Sequence, residues 1–175
     1  MKCLARLFTT RTRASDGSLI PRHVVEEYLN SDTYRESIES GTTIGGLTHA
    51  FRVLPKELKG VVGSDDQLIL EKSGIWRLTR IFLPDDPQDE WVYGELELFD
   101  ESQMDTKSAE NIKYIKGLIR QGIKMTISAC VVSYWSETEE AQKIINIKSV
   151  DATLSPAFKG ARILKILEDE KGGPE

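Results

Sequence analysis

A chain of 175 residues, 39% of them hydrophobic, 29% charged and 7% aromatic, has the length and apolar content for one compact domain around one core. Twenty-three basic against 28 acidic side chains, a formal net charge of -5, argue against a protein that holds nucleic acid by neutralising phosphates. No run approaches the ~18 apolar residues of a membrane span. Two cysteines, Cys3 and Cys130, and two histidines, His23 and His49, share no metal-ligand spacing, which argues against a structural zinc site or a disulfide scaffold and fits a reducing interior.

In chain order, residues 2–10 read as a strand that follows no secretory h-region, so the protein is expected to stay inside the cell that makes it. Residues 23–29 follow Pro21 and carry Val24, Val25, Tyr28 and Leu29, an amphipathic helix on which His23 is a solvated residue. Residues 31–46 are polar, end in a Gly-rich run and read as a flexible loop; residues 67–71 read as a strand. Residues 75–83 and 92–98 alternate with period two around the turn Pro84-Asp85-Asp86-Pro87, an antiparallel hairpin. A second helix spans 108–121, with Ile112, Ile115 and Ile119 at helical spacing and Gly122 as its stop. Strands follow at 124–134, 144–150 and 161–167.

About seven mainly antiparallel strands with two or three flanking helices predict an α+β fold, a small β-barrel, occupying residues 1–166. The charged, Gly/Pro-rich segment 167–175 reads as a flexible tail.

Three positions could carry chemistry. His49 follows Gly45-Gly46, which leaves room around the ring as a general base requires; it could equally be a strand-start histidine satisfied by backbone. On the strand 124–134, Thr126, Ser128 and Cys130 share one face and Met125, Ile127, Ala129 and Val131 the other. Ser128 is a nucleophile or an ordinary satisfied hydroxyl, and Cys130 is its rival, though no neighbouring cation argues for a lowered thiol pKa. Asp151 ends an apolar strand, where a carboxylate needs partners: a histidine N–H, or the backbone donors of a turn.

Together, a His after a Gly-rich loop, a Ser on a strand after a helix, and the segment Val150-Asp151-Ala152-Thr153-Leu154-Ser155-Pro156-Ala157-Phe158-Lys159-Gly160-Ala161 resemble the prohead maturation serine proteases of tailed bacteriophages. Within that group the chain looks most like the T-even core proteases, whose barrel is shared with the herpesvirus assemblins. The resemblance implies a serine endopeptidase with Ser128 as nucleophile, His49 as general base and Asp151 as the residue that orients it, working through an acyl-enzyme without a cofactor or metal. It implies an oxyanion donor, for which the turn at Gly160 and Ala161 is a candidate. The implied substrates are phage scaffold and major capsid proteins inside the immature prohead in the host cytoplasm, with homo-oligomers, but neither nucleic acid nor membrane, as further partners. The apolar-x-Glu pattern Ile166-Leu167-Glu168 reads either as a self-cleavage site at Glu168 or as a plain strand end and tail. The alternative is a catalytically silent capsid-assembly or scaffold protein that keeps the barrel.

Overall fold

Strand β1 (Lys2–Thr9) buries Cys3, Ala5 and Leu7 by simple alternation, then buries Phe8 as well. Two successive inward residues are possible because the ladder shifts register between Arg6 and Phe8, a bulge that re-aims the strand. The computed structural model describes residues 1–47 and 73–170; His49 and the expected strand at 67–71 lie outside the described residues.

Helix α1 (Arg22–Leu29) starts after Pro21 and buries Val24, Val25 and Tyr28, leaving His23 exposed as its spacing predicts. The expected loop at 31–46 is instead largely ordered, as helix α2 (Asp32–Ser40) and strand β2 (Ile44–Gly46). No α2 residue is fully buried, so the apolar periodicity that marks a helix is missing. The helix stands on its ends: the Ser31 hydroxyl accepts the Tyr34 N–H at 3.2 Å, and Gly41 closes it in the left-handed region at φ 66. Such a cap contributes about 1 kcal/mol. The Tyr34 hydroxyl donates to the Ile81 carbonyl at 3.1 Å and accepts the Ile81 N–H at 2.9 Å, binding the helix to the sheet.

Strands β3 (Gly74–Phe82) and β4 (Trp91–Leu98) form the predicted hairpin, and Val92, Gly94, Leu96 and Leu98 of β4 alternate inward without a break. After a single 3-10 turn at Glu101–Gln103 comes helix α3 (Thr106–Arg120), which begins two residues before the expected 108 because the Asp105 carboxylate caps it, accepting the Ser108 N–H at 2.9 Å. Its inner face is Ile112, Ile115, Lys116 and Ile119. Strands β5 (Ile127–Trp135), β6 (Ala141–Ala152) and β7 (Arg162–Glu168) complete the chain order.

The described residues thus form an α+β fold of seven strands and three α-helices. The strands pair antiparallel in a five-stranded sheet ordered β2-β3-β4-β1-β7 and a separate β5-β6 hairpin, so the small barrel expected from sequence, closed or nearly closed, is not closed among the described residues. The hairpin nonetheless meets both edges of the sheet. Near one edge, Thr126 bridges Arg162, and the N–H groups of Ile127 and Ile163 donate to the carbonyls of Ala161 and Met125 at 3.2 and 2.9 Å. At the other, side chains replace the ladder. The Gly46 N–H goes to an Asp151 carboxylate oxygen at 3.0 Å, and the Val150 carbonyl accepts the Trp76 indole N–H at 2.7 Å. Backbone groups spent on side chains cannot pair with each other, and among the described residues no ladder joins β2 to β6 at this seam.

Residues 167–170, assigned to the tail from sequence, belong to the folded unit: Leu167 and Glu168 lie in β7, and Asp169 and Glu170 are ion-paired. No helix among the described residues is long and apolar enough to cross a membrane.

Candidate active site

The register of the β5-β6 hairpin sets the site. Ser128 pairs with Asp151 and Cys130 with Ser149, and directly opposed residues of an antiparallel ladder project from the same face with their backbones about 5 Å apart. Ser128, Cys130, Ser149 and Asp151 therefore share one patch. Beyond Cys130 the register shifts, so the alternation that defines this face holds only at the start of β5.

Asp151 has no solvent exposure, and Ser128 has 4%. A buried carboxylate requires donors, and those of Asp151 include the Gly46 N–H to Oδ1 at 3.0 Å and the Ser149 hydroxyl to Oδ2 at 2.8 Å, from opposite flanks. Gly46 thus joins the sheet edge to the carboxylate three residues ahead of His49. His49 itself is outside the described residues. Ser149, fully buried, was not singled out from sequence, although its position two residues before Asp151 on the same strand places it on the same face.

The connection from β6 to β7 folds over Ser128. The Thr126 hydroxyl donates to the Thr153 carbonyl, and the Thr153 N–H returns to the Thr126 carbonyl at 3.0 Å. The Ala157 N–H points at Ser128 Oγ from 3.5 Å, while its carbonyl accepts the Ser15 N–H at 2.8 Å. Gly160 adopts φ 95, a conformation that favours glycine, and an added Cβ would stand 3.2 Å from the Trp91 ring. The Ala161 N–H donates to the Phe158 carbonyl at 3.1 Å. Of the two backbone donors, Ala161 is spent on closing the turn and Ala157 is the one aimed at the hydroxyl. Sequence reasoning missed it, because a loop N–H carries no side-chain signature.

Beside this loop opens a cleft of about 250 Å³ walled by Trp91, Pro156, Ala157, Phe158, Lys159 and Arg13. Arg13 Nη1 donates to the carbonyls of Gly17 and Thr138 at 2.7 and 2.8 Å, which fixes one wall. Chemically, the patch offers a recessed hydroxyl, a backbone N–H directed at it, a buried, hydrogen-bonded carboxylate on the opposing strand and a neighbouring cleft with apolar walls and charged side chains of both signs, Arg13, Lys159 and Glu90.

Cys130 is half-buried and carries no disulfide; Cys3 is buried in β1, its thiol pushed up to about 11 by burial. No group of three or more metal-ligating side chains occurs among the described residues. Glu168 closes β7 opposite Lys2 of β1. Comparison with protein-family models, with curated proteins and with solved structures finds no match for this chain.

Proposed function

We propose that the protein is a serine endopeptidase of the prohead-maturation type, with Ser128 as nucleophile, His49 as general base and Asp151 as the residue orienting the imidazole. The observation that carries this reading is the direct cross-strand pairing of Ser128 with Asp151. The carboxylate also holds Gly46, and His49 lies three residues further along the chain, a span of at most ~11 Å. Chain length alone therefore does not keep the imidazole from either partner.

Ser128 Oγ attacks the scissile carbonyl carbon as His49 takes its proton; the imidazolium then protonates the leaving amine, and water hydrolyses the acyl-enzyme. The Ala157 N–H, aimed at Ser128 Oγ, supports a role for the β6-β7 loop in stabilising the oxyanion, an interaction worth roughly 3–4 kcal/mol. The mainly antiparallel α+β layout agrees with this reading only at the level of fold class. The substrates are scaffold and major capsid proteins within the immature prohead, and the chain itself at Glu168.

One observation favours a second reading, a catalytically silent assembly protein with the same layout. Both Asp151 oxygens already accept hydrogen bonds, from Gly46 and Ser149, so the carboxylate could serve purely to fasten the hairpin to the sheet.

Co-expression with scaffold and capsid proteins, read by gel and mass spectrometry, separates the two. Wild type yields processed fragments and a shortened enzyme, and Ser128→Ala yields neither. Cleavage that survives Ser128→Ala removes Ser128 as nucleophile and makes Cys130→Ala the next variant. Absence of processing by wild type in the presence of true substrates favours the silent reading.

A further inference from the structure

Helix α3 carries two cations one turn apart, the buried Lys116 and the half-buried Arg120. Lys116 has no exposure, and its ammonium is held by Glu101 Oε2 at 2.6 Å and Glu170 Oε2 at 2.9 Å. Arg120 grips Asp169 with both arms, Nε to Oδ2 at 2.9 Å and Nη2 to Oδ1 at 2.7 Å. An ammonium removed from water needs compensating charge, and Asp169-Glu170 supplies it immediately past the end of β7. The last β1-β7 pairing is Lys2 with Glu168, so these two acidic residues are held by ionic contacts and not by the ladder. A cleft of about 450 Å³ runs along them, lined by Lys2, Arg77, Glu168, Asp169 and Glu170.

We propose that Asp169-Glu170 is a releasable acidic latch: an intramolecular ligand of the Lys116–Arg120 face that cleavage between Glu168 and Asp169 discharges, leaving a receptor for another acidic peptide segment. The proposal rests on the self-processing endopeptidase reading for its trigger. The trigger is simple hydrolysis, in which the Glu168 carbonyl carbon gains the hydroxyl of water and the Asp169 nitrogen gains its hydrogen. Before the cut, Asp169 and Glu170 are tethered at high effective concentration; afterwards they bind only as a free peptide and are diluted away. Lys116 then keeps Glu101, and the pair of cations becomes open to a second carboxylate pair.

The test needs no proteolysis. A labelled peptide covering residues 167–171, Leu-Glu-Asp-Glu-Lys, is titrated into the full-length chain and into full-length Asp169→Asn/Glu170→Gln, whose own tail no longer competes. The double variant binds the peptide at least about ten-fold more tightly than wild type, and adding Arg120→Gln removes that gain. Equal binding by wild type and double variant, or binding that survives Arg120→Gln, overturns the latch. Should the double variant not fold, Asp169→Asn alone leaves the Lys116 pairs in place. Hydrogen exchange then rises about ten-fold at the amides of 166–170 but not in β5 or β6, and unchanged or uniformly raised exchange overturns the proposal. A latch that fails here leaves the Ser128→Ala result untouched, and an inactive Ser128 leaves the peptide titration untouched.

Discussion

Gly45 and Val150 approach so closely that a Cβ on Gly45 would stand 1.9 Å from the Val150 carbonyl oxygen and 2.1 Å from Trp76 Nε1. The same carbonyl accepts the Trp76 indole at 2.7 Å, so the collision falls on a buried hydrogen bond and on the seam between the sheet and the hairpin. Gly45→Ala therefore combines overpacking with loss of that bond, a cost of about 3 kcal/mol or more. Thermal unfolding of the variant should fall by roughly 6–12 °C. Gly117→Ala is the contrast: nothing lies within 4 Å of the added methyl in mid-helix α3, so it should gain about 0.5–1 kcal/mol. A Gly45→Ala melting point within about 2 °C of wild type would show that the seam yields.

That seam also marks where the sequence stopped being legible. The strands of the sheet announce themselves by strict alternation, as in Val92, Gly94, Leu96 and Leu98, and helix α1 by its apolar face. Helix α2 has no buried side chain and is defined by Ser31 and Gly41 at its ends, signals that a search for periodicity passes over. Ser128 and Asp151 could be singled out one at a time, but their pairing depends on the hairpin register, and register is a property of two segments and a turn. Whether the ring closes is illegible for a related reason. Alternation reports which residues face inward, and says nothing of whether an edge N–H such as that of Gly46 meets a carbonyl or a carboxylate.

The α3 charge cluster predicts an acid-sensitive stability. Hydrogen bonds from Lys116 hold the carboxyls of Glu101 and Glu170 below their ordinary 4.5, and the Met1 ammonium, 3.0 Å from Glu170, acts in the same direction. A carboxyl with a lowered folded-state pKa binds more protons when unfolded, so its contribution is present above about 4.5 and is lost as the pH falls through the lower folded value. For Lys116, burial opposes the charge, but the hydrogen bonds it donates to Glu101 and Glu170 outweigh it and raise the pKa above 10.5. Its contribution disappears only as the pH rises beyond that. Denaturant unfolding measured across pH 3–6, a window bracketing the ordinary carboxyl value, should show stability dropping on the acid side, with a shallower drop in Glu170→Gln. The same slope in wild type and variant would remove the Lys116 pairing as the cause.

Cys3 and Cys130 should separate under thiol chemistry. Cys3 has no solvent exposure and burial pushes its thiol up to about 11, so at pH 8 only about one thiol in a thousand is in the reactive thiolate form. Mass spectrometry after iodoacetamide treatment of the folded protein should find Cys3 unmodified, and unfolding in denaturant should make it react fully. Rapid native alkylation of Cys3 would mean that β1 opens from the sheet far more readily than its two flanking ladders with β4 and β7 imply.

Asp151 and Ser149 allow catalysis to be distinguished from scaffolding within a single hydrogen-bond chain. Asp151→Asn keeps the size of the side chain and one carbonyl acceptor for the Gly46 N–H, now 3.0 Å from Oδ1, and its amide can face the Ser149 hydroxyl, which rotates to accept. The fold is therefore expected to survive with a loss of about 1–2 kcal/mol. Catalysis is more demanding, because an amide in place of the carboxylate presents the wrong partner to the imidazole, and such a change costs on the order of 10⁴ in rate. Ser149→Ala removes one donor but leaves the negative charge, so processing should persist at a reduced rate with a similarly small loss of stability. Processing rates and melting temperatures measured on both variants give the decision. Large rate loss with small stability loss in Asp151→Asn, and only modest rate loss in Ser149→Ala, fits a carboxylate that orients the base. A rate that follows stability equally in the two variants would reduce Asp151 to the fastener between Gly46 and the hairpin.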